Sequence, residues 1–132
     1  MILPRKMSPL IRIAIADLIK VEADPEYSVH MTDWHEPAEG VCSVCLAGSV
    51  MAKTLDAPIG EVLVPSSFGD NLDQLNALDY LRMGYVGMAW DILNDVPRPN
   101  GMTYTREITT YMDDPEEFKA DMLALAEELE GL

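Results

Sequence analysis

Positive charge is scarce in this chain. Its 132 residues carry 9 lysines and arginines against 23 aspartates and glutamates, a formal net charge of −14. Phosphate backbones and anionic lipid surfaces would be repelled, so neither nucleic acid nor a membrane is expected as a direct partner. Long apolar runs are also missing. The longest nearly uninterrupted one, Val41 to Ala52, is too short to span a bilayer. With only 2 cysteines and 2 histidines the chain is no disulfide-rich scaffold. Near the N-terminus Arg5 and Lys6 precede an apolar stretch, but Pro9, Arg12 and Asp17 interrupt it and no small-residue cleavage site follows. A cytoplasmic location is therefore expected.

The remaining composition bounds the fold. A hydrophobic content of 48% over this length supports one core, so residues 1–132 are expected to form a single domain. No internal repeat or low-complexity tract interrupts the chain.

Hydrophobic spacing then predicts the elements. Leu10, Ile11, Ala14, Ile15, Leu18 and Ile19 recur at helical intervals from Pro9 to about Glu22, with Ser8 in the capping position. Tyr27, Val29 and Met31 alternate with polar residues and predict a short strand in an otherwise loop-like stretch, 23–40. Val41 to Leu55 is almost wholly apolar and predicts a buried central helix. A short strand is predicted at Glu61–Val64. A third helix, capped by Asp70, carries Leu72, Leu75, Leu78 and Leu81 and stops at Gly84. A fourth is predicted from Tyr85 to Leu93, with Trp90 on its inner face. The Pro97–Gly101 breaker leads to a β-prone segment from Met102 to Met112. Asp114-Pro115-Glu116-Glu117 is a strong helix start, and Phe118, Met122, Leu125 and Leu129 mark the apolar face that follows. The expected fold is thus mainly α, an α+β arrangement of about five helices with a small β element.

All the histidines and cysteines lie in one stretch, as His30, His35, Cys42 and Cys45. Two thiolates and two imidazoles would satisfy tetrahedral zinc, so these four are candidate metal ligands, although the spacing matches no common finger. On a helix, Cys42 and Cys45 would share a face as small core residues. A thiol mechanism is a further possibility, with Cys42 activated at a helix N-terminus and His35 as its base. Neither a calcium-loop pattern nor a zinc-protease motif occurs.

Charge is unevenly distributed. Residues 1–20 hold four basic residues and one acid, a net of +3, whereas 113–132 hold eight acids and one lysine, a net of −7. Asp113, Asp114, Glu116, Glu117, Asp121, Glu127, Glu128 and Glu130, extended by Asp91 and Asp95, are the candidate partner-binding residues. Carboxylates spaced like phosphates would occupy a basic nucleic-acid groove with salt-sensitive affinity. Helix capping and solubility explain some of the same residues without any partner. The aromatics Trp34, Tyr104 and Tyr111 would be interface anchors if exposed.

Met31-Thr-Asp-Trp-His-Glu-Pro37 leads into Cys42-Ser-Val-Cys-Leu-Ala-Gly-Ser-Val-Met-Ala-Lys-Thr-Leu55, and Leu78-Asp-Tyr-Leu-Arg-Met-Gly84 follows after a Pro/Gly-rich spacer. This pattern resembles small acidic proteins encoded by tailed phages and prophages, a group with no established activity to carry over. The resemblance implies a bacterial host cytoplasm as the setting and a host protein as the target. The leading expectation is a non-enzymatic protein-binding module, an inhibitor whose acidic surface blocks a basic, nucleic-acid-binding host protein and needs no cofactor. The alternatives are a small zinc- or thiol-dependent enzyme centred on His35, Cys42 and Cys45, and a virion-associated structural protein.

Overall fold

The computed structural model describes residues 3, 4, 6–82 and 108–130. Among them the elements are α1 (Met7–Glu22), β1 (Tyr27–Val29), β2 (His35–Ala38), β3 (Val41–Val44), α2 (Leu46–Lys53), a 3-10 turn (Pro65–Phe68), α3 (Leu72–Arg82) and α4 (Pro115–Glu130). The α+β character is as expected. Four α-helices are described rather than about five. The predicted helix at 85–93, the Pro97–Gly101 breaker and the 102–107 part of the β-prone segment lie outside the described residues.

Helix α1 is the hub. Its apolar stripe packs against both α2 and α4. Leu10, Ile11, Ala14, Ile15 and Leu18 are fully buried, whereas Ile19, assigned to the same face, is half exposed. Burying side chains of this size stabilises by about 1.5–3 kcal/mol each. The helix begins earlier than Ser8 implies. Lys6 is the capping residue and Ser8 is itself buried. From α4, Phe118, Met122, Leu125 and Leu129 enter the same core. Asp114 caps α4 as its sequence indicates, its Oδ1 accepting from the Glu117 amide at 3.1 Å. For α3 the cap is Asn71 instead of Asp70, with Oδ1 accepting from the Gln74 amide at 3.0 Å.

The largest correction concerns 41–55, which is not one helix. Val41–Val44 is a strand and only Leu46–Lys53 is helical. A two-residue hairpin decides this. Glu39 and Gly40 both adopt positive φ, 52° and 85°. That pair of left-handed conformations matches strand twist and returns the chain on β2. Strand β3 then fills the centre of a three-stranded sheet of order β1-β3-β2, parallel to β1 and antiparallel to β2. Pro37 is tolerated because β2 is an edge strand. The predicted strand at 61–64 is a single extended contact, the Leu63 amide donating to the His35 carbonyl at 3.0 Å.

The sheet is two-faced. Its register aligns Tyr27, Cys42 and Pro37 in one row and Val29, Val44 and His35 in the next. These side chains share one face, since alternate residues of a strand point the same way. Val21 of α1 and Ala52 of α2 pack with Cys42 and Val44 in a small cluster there. Ser28, Glu36 and Ser43 occupy the opposite face.

Candidate functional site

The four histidines and cysteines do not converge. His30 follows β1 and is exposed, while His35 in β2 is fully buried. Cys42 lies on the inner sheet face. Cys45, three residues on and past the strand end, joins the main core instead. Its Sγ caps α2, accepting from the Gly48 amide at 3.3 Å. Only His35 and Cys42 approach each other, with Nδ1 and Sγ 3.6 Å apart. Among the described residues no group of three or more His, Cys, Asp or Glu side chains is gathered as a metal ion would require.

The chemistry of the His35–Cys42 pair follows from its surroundings. His35 Nδ1 lies 2.8 Å from the Glu61 carbonyl oxygen. A carbonyl only accepts, so Nδ1 carries the proton and donates it there. Nδ1 is therefore no acceptor for the Cys42 proton. The other ring nitrogen, Nε2, is buried and has no hydrogen-bond partner among the described residues. Burial pushes the Cys42 thiol up to about 11. This is opposite to the activation expected of a helix N-terminus, because Cys42 sits mid-strand and not at a helix start. Tyr27 meets the His35 ring edge-on at 6.4 Å, and the Lys53 ammonium lies over the Tyr27 ring at 4.8 Å while bonding Asp24 at 2.9 Å. Burial raises the Tyr27 phenol.

The acidic set is displayed differently. Of the eight candidates in 113–130, all but Asp121 are exposed, and Asp121 is half-buried. Several have intramolecular work. Asp121 accepts from the Thr109 amide at 3.0 Å, Glu116 bonds Lys119 at 2.9 Å, and Glu130 makes a two-pronged pair with Arg12 at 2.8 and 3.1 Å. Glu117 lies beside Asp121, and that neighbouring like charge raises the Glu117 carboxyl. The single lysine of the segment, Lys119, is only 9% exposed. It faces inward to Glu22 at 2.6 Å, on the same side as Phe118, Met122 and Ala126. Outward, α4 presents Glu117, Ala120, Leu123, Ala124, Glu127 and Glu128, so acids flank a small apolar centre. The expected attraction between the basic N-terminal helix and the acidic last helix is thus realised by Arg12–Glu130, while Glu22–Lys119 joins the same two helices with the signs reversed, Glu22 also accepting from the Tyr111 hydroxyl.

Trp34 is half-buried against the core, and Tyr111 stacks edge-on with Phe118 at 5.8 Å, so neither stands free as an anchor. Trp90, Tyr104, Asp91 and Asp95 lie outside the described residues.

Sequence reasoning missed a cavity of about 410 Å³ beside the β2–β3 hairpin, whose lining includes Glu26, Pro37, Glu39, Val41, Cys42 and Ile59. Gly40 was the one available signal for the hairpin, since glycine suits the second position of such a turn, whereas Glu39 is not among the residues that mark the first. No helix among the described residues is long and apolar enough to cross a membrane. Compared with protein-family models, curated proteins and solved structures, the chain finds no match in any of the three.

Proposed function

We propose that this chain is a non-enzymatic protein-binding module, whose acidic α4 surface docks on a basic, nucleic-acid-binding protein. The observation that carries the reading is the arrangement of α4. Five of the six acids of α4 are exposed and Asp121 is half-buried, while its only lysine is turned inward to Glu22. No cation of α4 itself therefore breaks the outer acidic surface. The apolar centre at Ala120, Leu123 and Ala124 inside an acidic surround follows the usual anatomy of an interface, with a dry middle and a polar rim. Glu117 and Asp121 crowd like charge at that surface, and an arriving cation would relieve it. The resemblance to phage proteins implies a bacterial cytoplasm as the setting, where the chain would inhibit a host protein by filling its nucleic-acid groove.

The thiol-enzyme reading has less support, because Cys42 is held neutral and the His35 nitrogen nearest to it already donates elsewhere.

Affinity capture from bacterial lysate tests the proposal, comparing the native chain with an Asp113→Asn, Glu117→Gln, Glu127→Gln variant over a salt series. A basic protein should be retained by the native chain at low salt, released as salt rises, and lost from the variant. Equal retention by both chains would mean that the acids serve solubility alone.

A further inference from the structure

We propose that the cavity beside the β2–β3 hairpin receives an arginine side chain of the protein partner, gripping it separately from α4. This rests on the reading that the partner is basic. The cavity has a volume of about 410 Å³ and is lined in part by Glu26, Pro37, Glu39, Val41, Cys42 and Ile59. That volume leaves room for a single long side chain entering from solvent.

The lining has two chemical halves. Pro37 and Ile59 supply apolar wall. Cys42 adds a neutral thiol, which behaves as a small apolar group. Against this wall stand two exposed carboxylates, Glu26 and Glu39, and among the described residues no lysine, arginine or histidine is in the lining. An anionic occupant would be repelled, and a neutral one would leave both acids unmatched. An apolar stem ending in a cation satisfies both halves. Arginine suits the site better than lysine, because its guanidinium is weakly hydrated and presents a planar fork to carboxylates.

Glu39 offers a clean test. It sits at φ 52°, a conformation that suits glycine or asparagine and strains other residues. Glu39→Gly therefore removes the carboxylate while relaxing the turn, and the variant folds at least as well as the native chain. An added cross-check is Glu26→Gln, which keeps the side-chain shape.

Amide chemical shifts of the full chain would be followed by NMR during titration with N-acetyl-arginine amide, and with its neutral isostere N-acetyl-citrulline amide. The arginine probe should move the amides of 39–42 and 59–60 in a saturable manner, and the citrulline probe should not. Glu39→Gly and Glu26→Gln should each weaken arginine binding by about fivefold. Equal shifts from both probes, no shift in the cavity, or an unaffected Glu39→Gly variant would overturn the proposal. Shifts confined to 113–130 would overturn it while leaving the α4 reading standing. Cavity binding by the probe without any captured protein would leave an arginine site and remove the partner reading instead.

Discussion

Replacing Gly48 by alanine probes the joint on which the inner sheet face is mounted. Gly48 lies near the start of α2, where the chain entering β2 crosses close above it. A Cβ built there would lie inside the Trp34 carbonyl oxygen and 2.9 Å from both the Trp34 carbonyl carbon and the Val44 Cβ. The first two atoms are backbone, so no rotamer change relieves the clash, and either α2 or the approach to His35 must move. Overpacking usually costs about 1–3 kcal/mol, and with backbone forced to shift the cost here is taken at about 3–4 kcal/mol. The gain in helix propensity from glycine to alanine, at most about 1 kcal/mol, opposes it. The net expectation is a loss of about 2–3 kcal/mol. For a chain of this size that lowers the Tm by roughly 6–12 °C, at about 3–4 °C per kcal/mol. Thermal unfolding followed by circular dichroism measures it, with urea unfolding to show that the m value is unchanged. An equal or higher Tm would mean that Trp34 does not approach α2 so closely, and the placement of His35 beside Cys42 would lose its basis.

Three further outcomes follow from the same geometry. In a Cys45→Ser background, Cys42 should resist alkylation in the native state and react once urea unfolds the chain. Its folded value of about 11 lies above the ordinary 9.0, so its stabilising contribution is complete below the unfolded value and lost as pH rises through about 11. Rapid native labelling at pH 8 would contradict this. Asp17 is buried against Thr54, and burial raises its carboxyl above the ordinary range despite that hydrogen bond and nearby Lys20. Its contribution is therefore present in acid and is lost as pH rises through the folded value. Asp17→Asn should equal or exceed the native stability at pH 7, with the difference vanishing in acid, as read by urea titrations. Lys119→Met should destabilise by about 1–3 kcal/mol in urea unfolding, because Glu22 is left with only the Tyr111 hydroxyl. A neutral result would class the pair with ordinary surface bridges.

Much of the helical frame was legible in the sequence, for local reasons. Helices α1, α3 and α4 announce themselves through apolar spacing, and the Asp114 cap is a contact within one turn. The 41–55 stretch was not legible because a short apolar run has no local preference strong enough to separate strand from buried helix. Its strand half is set by β1 and β2, which pair with it from outside the run. Pro37 makes the stretch around His35 read as loop, yet an edge strand accommodates proline. The split of Cys42 from Cys45 has the same origin. Helical spacing puts them on one side, whereas a strand ending at Val44 puts them in different clusters. The inward turn of Lys119 was readable in principle, since it shares the helical face of Phe118, Met122 and Ala126. The β2–β3 cavity needed the fold, because its lining comes from three separate stretches of chain.

The central claim is that the α4 carboxylates occupy the nucleic-acid groove of a basic partner. Competition measures it directly: labelled duplex DNA bound to the captured protein is titrated with this chain, and DNA release is read by fluorescence anisotropy. The account predicts full displacement at low salt, and much weaker displacement by the Asp113→Asn, Glu117→Gln, Glu127→Gln variant. A ternary complex in which the DNA stays bound, or displacement that the variant matches, would contradict it.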